Sequence, residues 1–253
     1  MPDFIDELRV AERAALAAGK WLGQLPLSER AVDSAEGRDI KLAADREAER
    51  IILQALSASG RPVLSEEQGT IGQVGTESPY WVVDPLDGTM NFKRGLGLEC
   101  VSIALWRRSE PLLGVVYDFD RDELFSGLVG HGAWCNAQPI RVSGLDDRGQ
   151  AVLATGFPVG RDYAADALAA FVGGIQSFKK VRMLGTAALS LAYLASGRLD
   201  AYWEDGIRLW DVAAGLALVE AAGGWSRHRA VANLAFQMDV KAAANAALFD
   251  REA

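Results

Sequence analysis

Residues 80–89 read Tyr-Trp-Val-Val-Asp-Pro-Leu-Asp-Gly-Thr, an apolar run that ends on acids, a proline and a glycine. Aromatic and β-branched side chains without polar alternation suit a strand buried on both faces. Asp84 is therefore expected inside the protein, at the strand's end, and not on its surface. Pro85 fixes its own φ and restrains Asp84 to extended geometry, which predicts that the strand stops at Asp84. Asp87 then falls in a tight turn, and Gly88 leaves the backbone open to a ligand. Thr89 is placed to cap a helix from Met90, whose first N–H groups suit an anion.

Two further segments set acids at the end of, or within, apolar runs. Ser65-Glu66-Glu67 follows Val63-Leu64, and Trp210-Asp211-Val212-Ala213-Ala214-Gly215 opens the last long helical run. Taken alone, Asp211 reads equally well as an ordinary helix cap. Taken together, the three segments pose an electrostatic problem. Like charges ~4 Å apart repel by about 4 kcal/mol at an effective dielectric near 20, so converging carboxylates must be protonated or bridged by a cation. Hard oxygen donors without His or Cys select Mg²⁺, Ca²⁺ or Mn²⁺. A pair of such ions holds a phosphate and activates a water for in-line attack.

Absences narrow the chemistry further. The chain contains no GxxxxGK[ST], no strand-preceded GxGxxG and no GxSxG, which argues against P-loop, dinucleotide-binding and serine-hydrolase sites. His131 and His228 are the only histidines, too few for a His-based zinc site, and read as structural or solvated. Cys100 and Cys135, the only cysteines, lie in no CxxC and imply a reducing compartment. Net charge is −8, which disfavours nucleic acid as a partner. The acidic start of the chain is unlike a signal peptide and no apolar run is long enough to span a membrane, so a cytoplasmic location is expected. Asp118-Phe119-Asp120 mimics the DxD of aspartyl-phosphate enzymes, but Asp122 and an immediate new strand make it a solvated hairpin turn.

Helical periodicity covers residues 4–25 and 43–57, the second with Ile51, Ile52 and Leu56 inward and its Glu and Arg outward. A glycine-rich stretch at 69–75 separates it from the Tyr80 strand. Strand-like runs at 100–106, 112–117, 123–128 and 132–135 predict an antiparallel meander. After residue 148 strands (152–155, 179–183, 201–203) alternate with helices (164–172, 187–195, 212–222), an α/β pattern. We expect an N-terminal α+β part, 1–147, and a C-terminal α/β part, 148–253, packed as one body.

These motifs resemble the Mg²⁺-dependent, lithium-sensitive inositol monophosphatases of the sugar-phosphatase superfamily. The likeness rests on Glu66-Glu67, Asp84 to Thr89, Asn91-Phe92, Gly132 to Asn136, Gly185-Thr186-Ala187-Ala188, Asp200 to Glu204, Trp210 to Gly215 and Glu220 to Gly224. It implies a layered αβαβα sandwich and a homodimer. It also implies two or three Mg²⁺ per site, with Glu66, Asp84 and the Leu86 carbonyl on one ion and Asp84, Asp87 and Asp211 on a second. By the same resemblance Gly88 and Thr89 offer N–H groups to the phosphate, and Asp45 works with Thr89 to orient the attacking water beside Glu66. Glu67 matches a position behind the ligands or at a third metal. Gly185, Thr186, Ala187 and Glu204 match residues around the polyol hydroxyls. The implied activity is hydrolysis of inositol monophosphate or a related polyol or sugar phosphate. Alternatives with the same metal site are 3′(2′),5′-bisphosphate nucleotidase, histidinol-phosphatase and fructose-1,6-bisphosphatase, and some bacterial relatives act as partners of the transcription machinery. Two departures stand out: Leu42 replaces the family's usual Thr ahead of Asp45, and Lys93 to Cys100 lacks its Pro-aromatic pattern, its two cations reading as surface.

Overall fold

The computed structural model describes residues 4–30, 32–36, 39–75, 77–158 and 161–249. The chain runs α1 (Ile5–Gly23), β1 (Val32–Glu36), β2 (Asp39–Leu42), α2 (Ala43–Leu56), β3 (Val63–Ser65), β4 (Gly69–Ile71), β5 (Tyr80–Asp87) and α3 (Thr89–Arg94). There follow β6 (Cys100–Arg107), β7 (Glu110–Asp118), β8 (Glu123–Leu128), β9 (Gly132–Cys135) and β10 (Gln138–Ile140). The remainder is β11 (Val152–Thr155), α4 (Ala165–Gln176), β12 (Lys180–Arg182), α5 (Ala187–Ala195), β13 (Ala201–Arg208), α6 (Leu209–Ala221), β14 (Trp225–Ala230) and β15 (Gln237–Ala243).

The meander forms as expected within an 8-stranded sheet ordered β10-β9-β8-β7-β6-β5-β3-β4, where only β3 and β5 pair parallel. The second sheet has five strands in the order β12-β11-β13-β15-β14. Its β11 pairs parallel with β12 and β13, as the α/β alternation predicts, while β15 and β14 are added antiparallel, beyond that pattern. Strand β4 likewise occupies part of the glycine-rich stretch that reads as loop.

Side-chain alternation shows how the layers stack. On β5, Trp81 and Val83 pack with α1 and α2, while Tyr80 and Val82 pack with α5 and α6. The five-stranded sheet covers the other side of α5 and α6 through Tyr202, Ile207, Val240 and Ala242. Its outer face packs Leu153, Ala201 and Ala243 with Ile175 of α4 and with Phe249 from beyond β15. The order is helix, sheet, helix, sheet, helix, the layered α+β arrangement expected. One core spans both sheets, because α5 and α6 are apolar nearly all round, as a helix covered on both sides must be.

Strand β5 departs from expectation at its functional end. It continues to Asp87 instead of stopping at Asp84. Asp84 pairs with Ser102 and Asp87 with Cys100, so three steps on β5 oppose two on β6, a β-bulge at Pro85-Leu86. Proline tolerates this position because a bulge asks no ladder N–H of it. The Leu86 N–H turns to the Asp84 side chain, donating to Oδ1 at 3.0 Å. The extra residue resets the two-residue period. Without it Asp84 and Asp87 would face opposite sides of the sheet; with it both face α5 and α6, and Leu86 is turned into the α1/α2 core.

Candidate active site

Asp87 is buried against the start of α5. Its Oδ2 accepts the Thr186 hydroxyl at 2.5 Å and the Ala188 N–H at 2.7 Å, with Cys100 Sγ 4.0 Å away. Thr186 is the N-cap of α5 and also accepts from Leu189 N at 3.3 Å. Gly185-Thr186-Ala187-Ala188 thus delivers a helix N-terminus to a carboxylate, where donors and dipole favour negative charge. Even so, burial outweighs these hydrogen bonds and pushes the Asp87 pKa up to about 6.

Asp211 lies at the third position of α6, not at its cap. Arg208 is the N-cap, and its backbone N–H donates to the Asp211 carboxylate, one half of a capping box. Burial raises the Asp211 pKa well above the usual carboxylate range, followed by the charges of Asp87, Glu66 and Glu204. Asp84 is raised in the same way, first by burial and then by Glu66, Asp87 and Asp211. Glu66 stands just past β3, where its N–H donates to the Val83 carbonyl at 3.2 Å. The three segments singled out in the sequence therefore meet, and their acids feel one another's charge.

Glu204 comes to the same place from β13. Burial and the Asp87 charge push its pKa up to about 8, against the lowering influence of the Tyr202 hydroxyl and Arg161. Gly156 leaves it room: a Cβ there would stand 2.7 Å from Glu204 Oε1.

Together Glu66, Asp87, Glu204 and Asp211 line a cleft of 540 Å³, closed by Gly185, Thr186 and Ala187 on one wall. Thr155, Gly156, Phe157, Arg208, Trp210 and Gln237 also line it, and sequence reasoning named none of their roles. Fully buried Asp84 and the Leu86 backbone lie behind Asp87 in the bulge. Among the described residues, no three acidic, histidine or cysteine side chains are grouped closely enough to close on one ion as they lie.

Around this centre several expectations need correction. Thr89 does not cap α3. Gly88 is the N-cap, and the Thr89 hydroxyl donates to the Leu86 carbonyl at 3.0 Å. Only glycine fits there, since φ is +93° and a Cβ would lie 2.8 Å from the Leu98 carbonyl oxygen. The acids of α2 do not all face outward. Asp45, in its first turn, and Glu49, one turn later, are both buried. Glu49 is a further residue whose role sequence reasoning missed. Its Oε1 accepts the Ser65 hydroxyl and the backbone N–H groups of Glu67 and Gln68, at 3.2 and 3.1 Å for the latter two, so it shapes the turn that carries Glu66 and half-buried Glu67. The available signal was its spacing of four from Asp45. Leu42 sits where β2 meets α2, and its side chain lies outside the described residues.

Asp118-Phe119-Asp120 does form the β7–β8 hairpin turn, but Asp118 is buried, not solvated. It accepts from Arg121 N at 3.1 Å and from the Tyr193 hydroxyl at 3.1 Å, hydrogen bonds that oppose its desolvation. His131 is exposed. His228 contacts the Ser109 carbonyl at 2.8 Å and packs edge-on to Trp106. Cys100 and Cys135 are free thiols. Arg94 is exposed and neither it nor Lys93 lines the cleft. Among the described residues no helix is long and apolar enough to cross a membrane.

The model of the inositol monophosphatase family matches residues 6–249. The chain belongs to the inositol monophosphatase family. Family membership makes it a phosphatase by descent. An inositol-1-monophosphatase of Mesorhizobium japonicum is 40% identical over 232 residues, 86% of this chain and 84% of that protein. A protein of Pseudomonas aeruginosa named Nus factor SuhB is 39% identical over 226 residues, covering 86% and 83% of the two chains. Among solved structures, an inositol monophosphatase from Anabaena superposes with a TM-score of 0.81 at 35% identity, over 96% of this chain and 92% of that one.

Proposed function

We propose that this inositol monophosphatase family member is a Mg²⁺-dependent phosphomonoesterase acting on inositol monophosphate or a related polyol or sugar phosphate. The observation that carries the proposal is the meeting of Glu66, Asp87 and Asp211 at one cleft with Asp84 buried behind them, the charges of Glu66 and Asp87 raising the proton affinity of both Asp84 and Asp211. Such a set fits a hard divalent cation: every donor is oxygen, and the repulsion is relieved when positive charge enters. By the family likeness Glu66, Asp84 and the Leu86 carbonyl would hold one ion and Asp84, Asp87 and Asp211 another, with Glu67 near a third. When bound, the ions neutralise phosphoryl charge and lower the pKa of a coordinated water.

The chain's own groups do the rest. Thr89 presents its backbone N–H to the phosphate, whereas the Gly88 N–H already donates to the Asp87 carboxylate and the left-handed Gly88 makes room for the Leu98 carbonyl. Glu66, with Thr89 and the buried Asp45, orients the attacking water. A water held by Asp211 protonates the leaving alkoxide. Gly185 to Ala187 and Glu204 contact the polyol hydroxyls. In the ion-free cleft burial and the Asp87 charge push the Glu204 pKa up to about 8, so there it offers a donor as well as an acceptor. Phosphate-monoester hydrolysis is among the slowest uncatalysed reactions, so positioning and charge neutralisation carry most of the acceleration.

Lithium sensitivity, a homodimer and a cytoplasmic location accompany this reading through the family likeness. A panel of phosphate esters assayed with Mg²⁺ tests it, polyol and sugar phosphates being turned over in preference to nucleotides; best turnover on an adenosine bisphosphate would reassign the substrate. Asp84→Asn and Asp211→Asn are expected to abolish turnover while the chain stays folded, and near-normal turnover in either would overturn the metal assignment. The relatives named Nus factor SuhB support a second, non-catalytic role. An inactive Asp87→Asn chain that still restored the phenotype of cells lacking the protein would establish it.

A further inference from the structure

We propose that the cleft binds a second anionic group of its substrate at Arg208, so that phosphate esters bearing two separated anions are favoured over simple monoesters. The inference rests on the phosphatase reading and names the substrate class of that same site.

Arg208 is the one basic side chain among the described residues lining a cleft whose other charged lining groups, Glu66, Asp87, Glu204 and Asp211, are all acids. It forms no ion pair among the described residues, although surplus carboxylates stand near. Its backbone N–H is turned to Asp211, while its side chain reaches the turn between β14 and β15, where Nη1 donates to the Ala235 carbonyl at 3.3 Å. The guanidinium carbon lies 5.6 Å from the centroid of the Trp210 ring. That turn is held in place. Phe236 has φ of +59°, a costly conformation for a bulky residue, and its carbonyl accepts the Leu209 N–H at 2.8 Å. The strained turn thus grips the start of α6 and fixes Arg208 at the rim.

Gln237 stands directly opposite Arg208 in the β13–β15 register and lines the same cleft. Directly opposed residues share a face of the sheet. Gln237 Oε1 is buried with no hydrogen-bond partner among the described residues. A buried amide oxygen without a donor is costly, and a hydroxyl of a bound polyol would supply one. The wall therefore offers a cation for an anion and, beside it, an acceptor for a hydroxyl. The reacting phosphate belongs with the acids and their ions, which leaves the guanidinium for a different anionic group, a phosphate or a carboxylate.

The test compares kcat/KM with Mg²⁺ for two matched pairs: inositol 1,4-bisphosphate against inositol 1-phosphate, and 2-phosphoglycerate against glycerol 2-phosphate. Arg208→Met is expected to lower at least one two-anion to one-anion ratio by about tenfold or more, with Arg208→Lys retaining part of it. A fall in the first ratio alone identifies a phosphate subsite, and a fall in the second a carboxylate subsite. Ratios that stay unchanged, or an equal loss on all four esters, overturn the proposal. If the unmodified chain cleaves none of them, the phosphatase reading fails, and calorimetric affinities for the same pairs still decide whether Arg208 selects the second anion.

Discussion

Asp87→Asn isolates the cost of bringing the acids together. Burial shifts the Asp87 pKa from 3.8 to about 6, and at 1.36 kcal/mol per unit this amounts to about 3 kcal/mol spent on holding the ionised carboxylate in the ion-free fold. The sign follows from proton uptake. Between the unfolded and folded pKa the folded state binds more protons, so stability falls as pH rises through this window and the whole penalty is present above it. Asparagine carries no charge yet keeps an oxygen for the Thr186 hydroxyl and the Ala188 N–H. The ion-free variant should therefore exceed the unmodified protein in stability by up to about 3 kcal/mol at pH 8. For a chain of this size that is roughly 5–10 °C in Tm. The advantage should shrink toward pH 4.5. Thermal unfolding after chelation, at half-unit steps across this range, measures it. Saturating Mg²⁺ should then raise the Tm of the unmodified protein by more than that of the variant, which loses a ligand of the second ion. A variant no more stable at pH 8, or an advantage that does not depend on pH, would show that the carboxylates do not strain the fold.

Glu49→Ala removes an acceptor shared by one hydroxyl and two backbone N–H groups. We expect a loss of about 3 kcal/mol or more in urea unfolding, and a fall in kcat as Glu66 loses its support. Gly88→Ala places a Cβ 2.8 Å from the Leu98 carbonyl oxygen in a left-handed conformation, so a loss of about 2 kcal/mol or more is expected by the same measurement, together with weakened inhibition by inorganic phosphate.

Much of the molecule is written locally. The helix at α1, the meander from β6 to β9 and helix α5 follow from periodicities of 3.6 and 2, which depend only on neighbours along the chain. Asp84, Asp87 and Asp211 are conspicuous for a related reason: a charged residue within an apolar run is costly anywhere in a folded protein, so it stands out in the amino-acid order itself.

What the local pattern could not convey is direction. Pro85 reads as a strand terminator, yet pairing with β6 carries the strand through it as a bulge, and that one extra residue turns Asp87 to the face of Asp84. Glu49 reads as an outward acid on an amphipathic helix until the turn after β3 arrives to occupy its oxygen with three donors. Asp118 reads as a solvated turn residue until Tyr193 closes over it. Arg208 and Gln237 are unremarkable in the chain and become a pair only when β15 docks against β13. The amino-acid order alone determined which residues are acids in apolar company and which segments coil or extend, because these depend on near neighbours. Tertiary structure decided which face each acid points to and which donors and charges meet it, because strand register and the partners across a sheet come from chain tens to hundreds of residues away.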